Sequence, residues 1–152
     1  MSSSRCVRPK RRSGLAGHLC WLALIPALWA AVPPSALAED AIRVELNAAE
    51  SAQNRCRLSF VIENKGESGI ESLKLEIALF GRDGVVQRRI ELELGPVRKT
   101  KTVVKSFVVD PDCAQIGSIL VNNVMACTPG EPGACLDRLE LSSRAQSVRF
   151  YK

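Results

Sequence analysis

Beyond the first 38 residues, the side chains whose types and spacing could do chemistry are four cysteines, a few close carboxylates and one run of cations. Cys56, Cys113, Cys127 and Cys135 contain no Cys-x-x-Cys, and residues 39–152 hold no histidine to complete a zinc site. Two structural disulfides are therefore the expectation, with three possible connectivities. Cys127 closes a strand-like run and Cys135 opens the next segment beyond a Pro/Gly-rich turn, so a hairpin-closing bridge is easy. Cys56 would then join Cys113, tying a second strand to the loop ahead of the sixth. Glu91 and Glu93 could in principle do paired-carboxylate chemistry, but they lie on the polar side of an alternating run. Asp110, Asp112 and Glu131 are oxygen donors of the kind calcium takes, yet Asp110-Pro111-Asp112 also spells a plain turn. No metal or cofactor is expected. Arg98, Lys99, Lys101 and Lys105 form a candidate anion or partner patch, or else a charged loop and strand edge that discourages edge-to-edge pairing. Without histidine, Ser-His-Asp and Cys-His arrangements are impossible, and no phosphate-cradling glycine pattern occurs. The sequence reads as non-catalytic.

The N-terminus has the three parts of a cleavable signal peptide over residues 1–38. Arg5, Arg8, Lys10, Arg11 and Arg12 give a basic start, residues 15–32 run largely apolar, and Ala36-Leu37-Ala38 offers small residues before a cut after Ala38. The apolar run is slightly short for an anchor and carries His18 and Pro26. Lys10-Arg11-Arg12-Ser13-Gly14-Leu15 resembles a twin-arginine export motif, the general secretory route being the alternative. Either route implies a periplasmic or secreted bacterial protein, in contact with membrane only through its signal. Cleavage removes five basic residues of 21, leaving 16 against 16 acidic, so the formal charge falls from +5 to zero. Both tryptophans leave as well. A neutral surface with one tyrosine and no tryptophan offers nothing to nucleic acid and little for stacking on sugars.

The elements that must position these residues are strands. The 114 residues from 39 to 152 suffice for one domain, and their apolar period is two. Ile42, Val44 and Leu46 alternate with polar residues, as do Cys56, Leu58, Phe60 and Ile62, then Leu73, Leu75, Ile77 and Leu79, then Val86, Ile90, Leu92 and Leu94. Residues 102–109 and 116–127 are strands whose inward face the pattern does not choose. A short pair, 139–141 and 148–150, closes the chain. Turn residues separate the runs: Asn64-Lys65-Gly66, Gly81-Arg82-Asp83-Gly84, Gly95-Pro96, Asp110-Pro111-Asp112, and the stretch from Thr128 to Gly133. No stretch has ten residues of helical spacing. The fold class expected is all-β, a disulfide-bonded, immunoglobulin-like antiparallel two-sheet sandwich of about seven strands, with a small barrel as the alternative.

Asn64-Lys65-Gly66, Ile77-Ala78-Leu79-Phe80, Arg82-Asp83-Gly84 and Gly95-Pro96 resemble the FxLYD and CARDB-type immunoglobulin-like modules of bacterial envelope proteins. Cys56, Phe80, Arg88-Arg89, Cys113, the run Leu120-Val121-Asn122-Asn123-Val124, Cys127 and Cys135 are similar to a set of alphaproteobacterial secreted proteins. That set is labelled only by its twin-arginine (Tat pathway) signal sequence domain. The resemblance implies a fold and a location but no activity. Two expectations follow. The first is a periplasmic binding or structural module that engages another envelope protein, by lending or accepting a strand at a sheet edge. The other is a carrier of a small ligand or ion. The partner, the free edge and the oligomeric state are not legible in the sequence.

Overall fold

A computed structural model describes residues 40–152, which fall within one compact unit. Arg11, Arg12 and the cleavage point after Ala38 lie outside the described residues. The fold is an all-β sandwich of two four-stranded sheets. Its strands are β1 (Ile42–Ala52), β2 (Arg55–Asn64), β3 (Ser72–Gly81), β4 (Val86–Glu93), β5 (Thr102–Val109), β6 (Ile116–Thr128), β7 (Leu139–Ser143) and β8 (Arg149–Tyr151). One sheet runs β5-β2-β1-β7 and the other β4-β3-β6-β8. Strands β1–β2–β5 thus face β4–β3–β6, the Greek-key order of immunoglobulin-like domains.

The period-two runs bury one face each, as a half-covered sheet requires. Ile42, Val44 and Leu46 of β1, Cys56, Leu58, Phe60 and Ile62 of β2, and Leu73, Leu75, Ile77 and Leu79 of β3 are all buried. Phe60 sits at the centre, its ring 6.1 Å from Phe107 and 5.6 Å from Phe150, so it joins both sheets. At Gly95 the chain passes so close to β3 that a Cβ would lie 2.7 Å from the Leu73 nitrogen; no larger residue fits there without a backbone shift.

Four features depart from the sequence-based expectation. The sheets are mixed rather than purely antiparallel, because β7 pairs parallel to β1 and β8 parallel to β6. β7 and β8 are accordingly not a hairpin but the outer strands of opposite sheets. Second, a helix, α1 (Pro132–Arg138), forms inside the Pro/Gly-rich segment, with Pro132 in its first turn. Seven residues are too few to show a 3.6-residue period. Third, the Val86, Ile90, Leu92, Leu94 face is buried only at its C-terminal end, and Val86 is 51% exposed. A bulge at Leu79/Phe80 shifts the pairing of β3 with β4 there. Last, β6 meets β3 through three register shifts, so its buried residues Ile116, Ile119, Val121, Val124 and Cys127 follow no fixed period.

Candidate functional site

The cysteines form two disulfides, Cys56–Cys113 and Cys127–Cys135. The first joins the buried face of β2 to the 3-10 turn (Cys113–Gln115) that leads into β6. The second does not close a hairpin. Cys135 lies on α1, so the bridge ties that helix to the end of β6. Lys152 secures the other end of α1 by donating to the Leu136 and Asp137 carbonyls at 2.7 and 3.2 Å.

Four of the five candidate carboxylates are engaged in holding the chain. Glu93 Oε1 accepts from the Leu73 and Gly95 amides at 3.1 and 3.2 Å, which binds the end of β4 back onto β3. Glu91 lies 3.8 Å from Lys74 across the outer face. Asp110 takes Arg55 at 3.0 Å and Arg88 at 3.2 Å, linking strands of opposite sheets. Asp112 accepts from Ser51 Oγ at 2.8 Å and from the Ala114 amide at 2.9 Å, capping the 3-10 turn. Glu131 stands at the start of α1 without making a side-chain cap. Among the described residues, no group of three or more histidine, cysteine, aspartate or glutamate side chains is placed to hold a metal ion.

The basic run divides. Arg98, Lys99 and Lys101 are exposed on the loop between β4 and β5, whereas Lys105 points from β5 toward the interior. Its Nζ donates to the Gly95 carbonyl at 2.9 Å. Arg98 and Lys101, with Pro96, Thr102 and Val103, line an open depression of about 420 Å³. Behind that loop lies a residue that the sequence reads only as part of a turn. Asn64 is fully buried; its Nδ2 donates to the Ser68 and Val97 carbonyls at 2.8 and 3.3 Å, and its Oδ1 accepts from the Gly66 amide at 3.0 Å. It pins the β2–β3 turn to the β4–β5 loop. The Asn-x-Gly spacing is the signal that could have found it, since Asn side chains commonly bond the amide two residues on.

Among the edge strands of the two sheets, β5 stands apart. No strand among the described residues pairs with its outer edge. The Asn64 amide donates to the Lys101 carbonyl at 3.0 Å, which fixes the phase of the antiparallel β2–β5 ladder. In that phase Val103, Lys105, Phe107 and Val109 bond to β2, while the backbone groups of Thr102, Val104, Ser106 and Val108 point outward. The side chains of Val104 and Val108 stand on the outer face, 67% and 45% exposed. The other three edges are blunted as edges ordinarily are. β4 carries Arg88, Arg89, Glu91 and Glu93, β7 has five residues, and β8 has three. β5 is eight residues long, has no proline, and carries no outward charge of its own, Arg55 Nη2 donating to its Val108 carbonyl at 3.4 Å.

No protein-family model, curated protein or solved structure matches the chain. Among the described residues, no helix is long and apolar enough to cross a membrane.

Proposed function

We propose that this chain is exported by an N-terminal signal, by the twin-arginine route, and acts in the periplasm as a non-catalytic binding module that engages another envelope protein through the β5 edge. The observation that carries this reading is the unblunted β5, with outward backbone groups at Thr102, Val104, Ser106 and Val108 flanked by exposed valines. A strand added there gains main-chain hydrogen bonds and two apolar side-chain contacts. The two disulfides suit an oxidising compartment. The absence of histidine from 39–152, with four of the five candidate carboxylates committed to structural bonds, supports a role without chemistry. So does the likeness of Asn64-Lys65-Gly66 and its companion turns to envelope modules.

Cross-linking and pull-down from the periplasm of the producing cell tests it. One envelope protein should be captured reproducibly by the wild-type chain and lost with V104K, which sets a charge on the outward face of the edge. V85K, on the β3–β4 turn where Val85 is 60% exposed, should capture as well as wild type. Capture that V104K leaves intact would sink the edge as the binding surface. The depression bounded by Arg98 and Lys101 keeps the carrier of a small anionic ligand as the second reading. A small mass retained in native mass spectrometry of protein taken from its own compartment would favour it.

A further inference from the structure

The β5 edge is complementary to itself. Residues opposite one another in an antiparallel pair lie on the same face of the sheet. Two copies of β5 related by a twofold axis therefore have two central registers, one with Lys105 opposite its own copy and one with Ser106 opposite its own copy. The first sets each Val104 opposite Ser106 and each Val108 opposite Thr102 of the second copy, so neither exposed valine gains an apolar partner. The second places Val104 opposite Val108 of the second copy on the outer face. On the inner face it places Val103 opposite Val109 and Lys105 opposite Phe107 of the second copy. It also uses the backbone groups of Val104, Ser106 and Val108, which point away from β2, and joins them in about six hydrogen bonds, in two of which the Val104 amide replaces Arg55 Nη2, the present donor to the Val108 carbonyl at 3.4 Å.

The flanks agree with that register. Arg98, Lys99 and Lys101 precede β5, and Asp110 and Asp112 follow it. An antiparallel pair sets the beginning of one strand beside the end of the other, so the basic loop of each copy meets the turn of its mate, where Asp110 is already paired with Arg55 and Arg88 but Asp112 accepts only from neutral donors. Asp110, with a side chain still 53% exposed, falls opposite Thr102 of the second copy, whose hydroxyl is a donor. Lys105 does not stand in the way, because its ammonium is folded back onto the Gly95 carbonyl.

We propose that in the free protein β5 pairs antiparallel with β5 of a second copy, with Ser106 on the twofold axis, making one continuous sheet across two molecules. This rests on the reading of β5 as the binding edge and adds a regulation: the second copy caps the edge, so dimerisation and capture of the envelope partner compete.

Sedimentation velocity and light scattering on the disulfide-intact protein, up to millimolar concentration, should show a concentration-dependent doubling of mass. V104K should reduce dimer affinity by roughly tenfold or more, and V85K should leave it unchanged. S106C supplies the register. Its Cα atoms would lie about 5.5 Å apart in a hydrogen-bonded pair, within the span of roughly 4.4–6.8 Å that a disulfide bridges. A covalent dimer should form under mild oxidation with S106C and not with V85C. A wild-type chain that stays monomeric at every concentration overturns the proposal, and so does a dimer that S106C does not trap. Either result, with capture of an envelope protein still lost in V104K, leaves the binding edge standing. Capture that ignores V104K removes the edge reading whatever the mass.

Discussion

At the scale of single residues, the strongest dependence falls on Asn64. It is the buried polar side chain of the described core, and it holds its own turn at Gly66 and Ser68 while reaching across to the Val97 carbonyl of the β4–β5 loop. Asn64→Ala should cost about 2–3 kcal/mol, because it strips the Ser68 carbonyl and the Gly66 amide of their Asn64 partner and leaves the Val97 carbonyl only the Ile70 amide. Urea unfolding should show the midpoint fall with an unchanged slope; a loss under about half a kcal/mol would contradict the role. Glu45 belongs to the same scale. Asn47 donates to its carboxylate at 2.9 Å, and Arg144 approaches at 2.9 Å. Both hold its pKa below the ordinary carboxylate value, the Asn47 bond foremost. A depressed folded pKa gives stability that is full above the unfolded value and lost as pH falls through the folded one. Thermal melts between neutral and acid pH should therefore show E45Q losing less stability on acidification than wild type. Identical slopes would refute it.

At the scale of elements, the disulfides hold different things. Cys56–Cys113 closes a separation of 57 residues between β2 and the turn before β6, and Cys127–Cys135 closes eight residues around α1. Chain entropy assigns about 4 kcal/mol to the long loop and about 2.5 to the short one. Replacing both cysteines of the long bridge by serine should lower stability more than the same change at the short bridge. The short-bridge variant should loosen α1 selectively, raising amide exchange at residues 133–138 while β2 and β3 stay protected. Uniform loss of protection in that variant would show that α1 is part of the global folding unit. The parallel strands β7 and β8 make the same point about elements. β7 follows α1 directly and β8 comes after a short loop, so the segment that the helix redirects supplies an outer strand to each sheet.

At the scale of the molecule, the proposed export changes what the protein presents to its surroundings. The whole chain is basic, with a sequence pI near 9.1, while residues 39–152 carry equal numbers of acidic and basic side chains. Intact mass of protein recovered from the periplasm should begin at Glu39, and it should focus far below the full-length chain, near neutrality. A recovered chain that retains Arg11 and Arg12 would exclude the cut after Ala38. A molecule without net charge has little long-range repulsion between copies, so nothing but local edge chemistry keeps two β5 strands apart.

The sequence by itself determined the class of fold and the interior of its regular strands. In β2, and in β3 but for the buried Ala78, side chains alternate, and burial of one face leaves a single phase for the whole strand. It also determined the cysteine inventory and the lack of a histidine base in 39–152. The tertiary structure decided what lies outside strict period two. In β5 both faces carry valines, so only the β2 ladder says that Lys105 turns inward and Val104 outward. In β6 the bulges break the period and hide the core positions. The outcome for the four basic residues, three on a loop and one folded under it, depends on the Gly95 carbonyl that Lys105 reaches. Which edge is open was likewise invisible. An edge is a property of strand order, and strand order comes from pairings between residues far apart in sequence, which local patterning does not encode.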